Sequence, residues 1–263
     1  MMRSVFTKTL YDLRWTMLAF CLGLALLSFF VVFIYPSVSD ASGGLFSGLD
    51  DQMANALLGN LALANSPAGY LNVQLIPFQP LFIAVFVIIV TSAAVAGEDD
   101  GKTLGVLLTR PVPRWRILVE KAAAVTLATL VIIGALAAGA VIGAIVADVD
   151  ISLVDLALAI LMTIPFALFL LGFGLFCSAV FSGRLVASLI ATGLVVFSYM
   201  FNSSTEFVTN LETYNRFLPF YYYSWGQPLV GSVRWENAAI LVGSGLLFFV
   251  LSLIAFNRRE VMA

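Results

Sequence analysis

Six stretches of the chain run apolar without one Asp, Glu, Lys or Arg: Trp15–Tyr35, Phe78–Ala96, Ala122–Val146, Leu156–Phe181, Val186–Phe201 and Ala238–Phe256. A bilayer core of about 30 Å needs roughly 20 such residues per helix, so each stretch predicts a membrane-spanning helix. Pro165 in the fourth removes a backbone donor and is expected to kink or tilt it. The fifth is short and carries Gly193 at its middle, so its residues leave open whether it crosses straight. The first is too long for the apolar core of a cleaved leader and no small-x-small site follows it, so the N-terminus is expected to stay.

Between the spans the pattern changes period. In residues 3–14, Phe6, Leu10 and Leu13 recur at i, i+4 and i+7, while Arg3, Thr7 and Arg14 fall on the other side and Lys8 adds a third cation. Such a segment suits the headgroup plane of the inner leaflet, or serves only as a topology signal. The first outer loop, Pro36 to about Pro77, opens on a turn-rich run (residues 37–44) and continues into a helix-like stretch, Leu49–Leu63. In the outer segment 202–237, Phe207, Leu211, Tyr214 and Leu218 mark one helical face, and Glu212 with Arg216 forms an i,i+4 pair. The cluster Phe220, Tyr221, Tyr222, Tyr223 and Trp225 then reads as an aromatic belt at the interface, or as a re-entrant helix guarding an exit; the belt is favoured. Gly139 and Gly143 form a GxxxG that allows close helix contact without naming a partner.

Composition agrees with the pattern. The 263 residues are 61% hydrophobic and 11% charged, where a soluble domain carries about a quarter charged residues. The fold class is therefore all-α and polytopic: a single transmembrane domain over 1–263, six spans, and long outer loops one and three. The chain has no histidine, which removes His-based zinc, haem and Ser-His-Asp chemistry. Cys21 and Cys177 each sit in an apolar run and read as inert packing residues. No metal site, no catalytic residues and no nucleic-acid partner are expected.

Charge placement sets the orientation. With six spans, Arg3, Lys8, Arg14, Lys102, Arg110, Arg114, Arg116, Lys121, Arg184, Arg258 and Arg259 share one side, leaving Arg216 and Arg234 of the 13 basic residues on the other. The positive-inside rule makes the first side cytoplasmic, with both termini on it. Nine of the 15 acidic residues (Asp40, Asp50, Asp51, Asp148, Asp150, Asp155, Glu206, Glu212 and Glu236) fall outside. The expected setting is the plasma (inner) membrane, with the chain multi-pass in the bilayer.

The inner loop after the second span carries the most specific pattern. Ala96 to Thr103 fits a loose phosphate-binding P-loop, but it follows a lipid-embedded helix and holds Glu98, Asp99 and Asp100, which would repel a triphosphate. Instead Leu104, Leu107 and Leu108 give an apolar edge, Glu98 and Lys102 pair at i,i+4, and Arg110-Pro111 with Pro113 ends the helix. Arg114, Trp115 and Arg116 anchor the start of the third span. The element is either a docking surface for a cytosolic protein or an anchoring loop with no partner.

The order of residues here resembles the signature of ABC-2-type transporter permeases, at Ala96, Gly97, Glu98, Gly101, Thr103, Leu104, Leu107, Leu108, Pro111, Val112, Arg114 and Lys121. The likeness extends to the basic N-terminal helix, the six spans and the long first outer loop. It looks most like the antibiotic-exporter and nitrous-oxide-reductase-maturation type, and Ser66–Leu71 (Ser-Pro-Ala-Gly-Tyr-Leu) resembles that group more weakly. The resemblance implies the membrane subunit of an ATP-binding-cassette exporter, paired with a second copy or a homologous permease and driven by a separate cytosolic ATPase that binds ATP and Mg. This chain would bind no cofactor and hydrolyse nothing itself. Glu98–Thr109 would be the coupling helix, with Asp99, Asp100, Gly101, Arg110, Pro111, Arg114 and Lys121 in the coupling set, and residues 3–14 the connecting helix.

Three other readings rank lower, of which a membrane-embedded enzyme lacks an evident acid, base or metal site, having no His and no carboxylate inside the spans. An ion- or proton-coupled transporter or channel usually keeps ionisable residues within its spans, and these spans have none. A non-catalytic membrane scaffold has no feature that singles it out. The substrate is not legible, although an uncharged interior suits lipophilic or amphipathic cargo.

Overall fold

A computed structural model describes residues 4–45, 66–97, 113–181, 183–204, 212–224, 229 and 234–258. Every regular element among them is helical: α1 (Val5–Leu45), α2 (Pro67–Gln74), α3 (Gln79–Ala94), α4 (Arg114–Val146), α5 (Leu153–Leu161), α6 (Ile164–Val180), α7 (Arg184–Ser204), α8 (Glu212–Asn215), α9 (Pro219–Ser224) and α10 (Trp235–Arg258). They make six candidate spans, Val5–Val38, Pro67–Ala94, Trp115–Val146, Leu153–Val180, Arg184–Ser204 and Trp235–Arg258. The six expected spans are therefore present.

Their boundaries follow backbone chemistry. The first span is continuous with the amphipathic segment before it and with the run after it, so α1 is one helix of 41 residues. The turn expected at residues 37–44 does not form there. Pro36 withdraws one N–H but leaves the rest of the ladder intact, and membrane helices tolerate this because neighbouring groups satisfy the freed carbonyl. The second and fourth spans are each broken near one end. Ser66 caps α2, accepting the Gly69 N–H at 3.1 Å, with Pro67 at the first helical position. Pro77 and Pro80 then interrupt the run between α2 and α3. In the fourth span Pro165 separates α5 from α6 at Met162–Thr163, a break where the sequence predicts a kink. The two breaks lie together: the Thr163 hydroxyl donates to Gln79 Oε1 at 3.0 Å, and both side chains are buried. The fifth span, α7, is one unbroken helix through Gly193.

Packing puts α3 and α6 at the centre. Ile83, Phe86 and Val87 of α3 and Phe166, Leu170 and Leu175 of α6 are fully buried. The outer helices α1, α7 and α10 turn Leu22, Phe30, Leu189, Phe197, Leu246 and Val250 outward, as lipid-facing helices do. Backbones approach closely at glycines. A Cβ on Gly139 would collide with the Ala25 carbonyl, and one on Gly143 would lie 2.8 Å from the Phe29 carbonyl oxygen. The GxxxG of α4 thus has its partner inside the chain, which is α1. The hydroxyl of Ser28 crosses the same seam and donates to the Leu136 carbonyl at 2.8 Å. Gly172 and Gly245 meet in the same way where α6 crosses α10.

Candidate functional site

The loop with the signature leaves α3 and returns into α4, so its geometry is set by how those two helix ends are held. A helix ends with carbonyls that have no partner in the helix, and its macrodipole makes that end negative. Lys121 answers both needs at the end of α3. Its ammonium donates to the Ala94 carbonyl at 2.6 Å, and the residue is only 7% exposed. A charge buried this deeply is tolerated only when it is hydrogen-bonded.

Ser178 of α6 completes the termination. Its hydroxyl accepts the N–H groups of Val95 (3.1 Å) and Ala96 (3.0 Å) and donates to the Ser92 carbonyl at 3.2 Å. Side chains from α4 and α6 therefore fix where α3 stops. The chain leaves at Gly97, where a Cβ would touch Ala93 Cβ at 3.3 Å and Arg184 Cδ at 3.6 Å. Ala96 packs beneath with Cys177 and Ala187.

The residue beside Lys121 holds a different helix. Glu120 Oε2 accepts the backbone N–H groups of Val5 (2.8 Å) and Phe6 (3.2 Å), while Oε1 pairs with Arg116 Nε at 3.0 Å. The start of α1 has free N–H groups and a positive dipole end, so a carboxylate from α4 caps it from outside. Leu10 and Leu13 pack on the core, Lys8 is exposed, and the Arg14 guanidinium lies 3.5 Å from the centre of the Tyr11 ring, an exposed cation–π contact. Arg3 lies outside the described residues.

Of the coupling residues proposed from sequence, Arg114 begins α4 and Lys121 is placed as above. Glu98, Asp99, Asp100, Gly101, Thr103, Leu104, Leu107, Leu108, Arg110 and Pro111 lie outside the described residues, as does Trp225 of the aromatic set. The tyrosines separate. Tyr223 is buried and its hydroxyl donates to the Ile76 carbonyl at 2.6 Å, a group left free by the break before α3. Tyr222 donates to the Arg216 carbonyl at 2.8 Å, and Tyr221 packs edge-on against it. Phe220, fully buried against Phe166 and Tyr199, anchors α9, and its N–H donates to Ser198 Oγ at 3.0 Å.

Sequence reasoning missed Ser178, Glu120 and Arg184 as contributors here. A serine in an apolar run carries no local signal. Glu120 could have been noticed for standing next to Lys121 in the signature. Among the described residues no three His, Cys, Asp or Glu side chains gather as a metal site requires. The arrangement offers anchorage for a loop rather than bond-making groups.

A family model described as ABC-2 family transporter protein matches residues 14–261. The chain belongs to the ABC-2 transporter family. This ABC-2 protein is accordingly a multi-pass permease subunit of an ABC transporter, embedded in a membrane and partnered by an ABC ATPase. Comparison with curated proteins returns no match. In the permease the end of α3, clamped by Lys121 and Ser178, leads into the loop that carries the family-like signature.

Proposed function

We propose that this ABC-2 permease is the membrane half of an ATP-driven exporter and that the loop Glu98–Thr109 is where the cytosolic ATPase subunit docks. The observation that carries the reading is the clamp at the loop's root. Lys121 and Ser178 satisfy the last groups of α3 with side chains from two other helices, so force on the loop enters the bundle at a defined point. The N-terminal helical segment, capped by Glu120, acts as the connecting helix beside it. A second copy or a homologous permease completes the pathway. Both termini face the cytoplasm of the plasma membrane, and ATP with Mg binds on the ATPase subunit. At the far end the short helix α9, latched through Tyr223, closes the exit until it moves.

The test is charge reversal in the loop. Glu98→Arg places a like charge against a basic docking surface, a change worth several kcal/mol when such groups meet. It should leave membrane insertion intact and lower transport-coupled ATPase activity by about ten-fold or more, each factor of ten being about 1.4 kcal/mol. Normal coupling in that variant removes Glu98 from the interface. Purification of the chain alone under mild detergent, with no soluble ATPase retained, counts against the whole reading.

A further inference from the structure

Pro80 decides the state of one carbonyl. In a continuous helix the Ile76 oxygen would accept the N–H four residues on, and Pro80 has none to give. Ile76 is buried, so its oxygen needs a partner from elsewhere, and the Tyr223 hydroxyl of α9 supplies it at 2.6 Å. Gln79, three residues after Ile76, is 1% exposed, and its side-chain amide is only half used. Its Oε1 accepts the Thr163 hydroxyl at 3.0 Å, while Nε2 has no hydrogen-bond partner among the described residues. Thr163 also faces the Tyr223 hydroxyl, so a single side chain links the amide to the group on the Ile76 carbonyl. A cavity of about 30 Å³ adjoins these groups, and its lining includes Ile76, Met162, Pro165, Tyr222, Tyr223 and Arg234. Packing therefore leaves Ile76 and Tyr223 space on one side.

A buried donor without an acceptor thus stands close to a buried acceptor whose donor comes from another helix. Leaving either group unpaired costs its full desolvation. When Tyr223 withdraws, the Ile76 oxygen loses its donor, and Gln79 has an unused N–H three residues away. We infer that Gln79 and Tyr223 form a two-position latch on the Ile76 carbonyl: Tyr223 holds it while α9 is seated, and Gln79 Nε2 takes it when α9 lifts. The exchange keeps that carbonyl bonded in both positions, so lifting α9 does not orphan the oxygen at the head of α3. It also assigns the unpaired donor to the seated position, which brings the two positions closer in free energy. Two discrete arrangements of one packed junction are what a switch requires. That the latch serves an exit rests on the exporter reading above; the exchange itself does not.

The experiment uses the full chain in detergent and a double-mutant cycle read by denaturant unfolding. Tyr223→Phe should shift the unfolding constant about three-fold further on a Gln79→Met background than in the parent, because the Ile76 oxygen then has neither partner. That factor is one membrane-protein hydrogen bond at about 0.6 kcal/mol. A second measurement follows the amide itself by NMR and needs no change at Gln79. In chain carrying isotope-labelled glutamine, the side-chain N–H signals of Gln79 are identified by their proximity to the Thr163 methyl group. In Tyr223→Phe they should move downfield, as hydrogen-bonded amide protons do, and exchange more slowly with water. Equal cost of Tyr223→Phe on both backgrounds, or Gln79 signals that it leaves unchanged, overturns the proposal. So does a cycle in which Arg234→Ala, and not Gln79→Met, deepens that cost, since Arg234 would then be the group that takes the carbonyl. Neither measurement needs ATPase or transport, so failure here is separable from failure of the exporter reading.

Discussion

Lys121, Ser178 and Tyr223 each spend a polar side chain on another helix's backbone, but they do not carry equal weight. Interhelical hydrogen bonds in membrane proteins average about 0.6 kcal/mol and reach about 1.7 kcal/mol. Tyr223 makes such a contact to the Ile76 carbonyl, so Tyr223→Phe should lower stability by about 0.5–1.5 kcal/mol in a denaturant titration of the purified chain. Ser178 serves three backbone groups, and Ser178→Ala leaves two buried N–H groups without their partner. Its cost should be larger, about 1–3 kcal/mol. Lys121→Met keeps the length of the side chain and removes the charge from the end of α3. It should cost a comparable amount and also weaken ATPase stimulation, whereas Ser178→Ala with an equal loss of stability and equal loss of coupling would mean that the charge itself has no special part. Lys121 was legible in advance only through the resemblance of the loop to the family signature. Its burial was not, because nothing in a local window says which helix will lie across it. Ser178 left no trace at all, since one hydroxyl barely alters the hydropathy of an apolar run.

At the scale of elements, run length and charge exclusion gave the spans directly, because the bilayer imposes both. Helix breaks were harder to read. Pro165 and the Pro77–Pro80 pair interrupt their helices, while Pro36 does not, and the three look alike in sequence. At the break before α3 the Tyr223 hydroxyl of α9 satisfies the Ile76 carbonyl, a tertiary contact that no local window shows. Glycines divide in the same way. Gly139 lies against the Ala25 carbonyl and Gly193 has no atom within 4 Å of where its Cβ would be. Gly139→Val should therefore separate α1 from α4 and cost about 1–3 kcal/mol as overpacking does. Gly193→Ala should be neutral or stabilise α7 by up to about 1 kcal/mol through helix propensity. Thermal unfolding of the two variants side by side checks the contrast, and equal losses would mean that α7 is packed against something at Gly193.

For the whole molecule, two helices at the centre and three with broad outward faces define a bundle that only lipid or detergent can surround. The candidate site at its basic end was half legible. The signature and its sidedness could be read from residue order and from the placement of Lys and Arg, but the clamp beneath it joins residues more than 80 positions apart in sequence. Glu120 ties in the start of α1 from 114 positions away. Glu120→Ala should free that start while leaving α4 folded, and spin labels at Thr7 and Trp115 should then show a broader distance distribution than in the parent chain. An unchanged distribution would mean that Leu10 and Leu13 alone hold the segment. Glu120 and Lys121 are neighbours on one helix, and successive side chains on a helix point about 100° apart. One grips the beginning of α1 and the other the end of α3. The base of α4 is thus built like a crank with two rods: any torque about its axis is delivered to two helices along different directions, and arrives in the bundle as shear rather than as the tilt of a single helix.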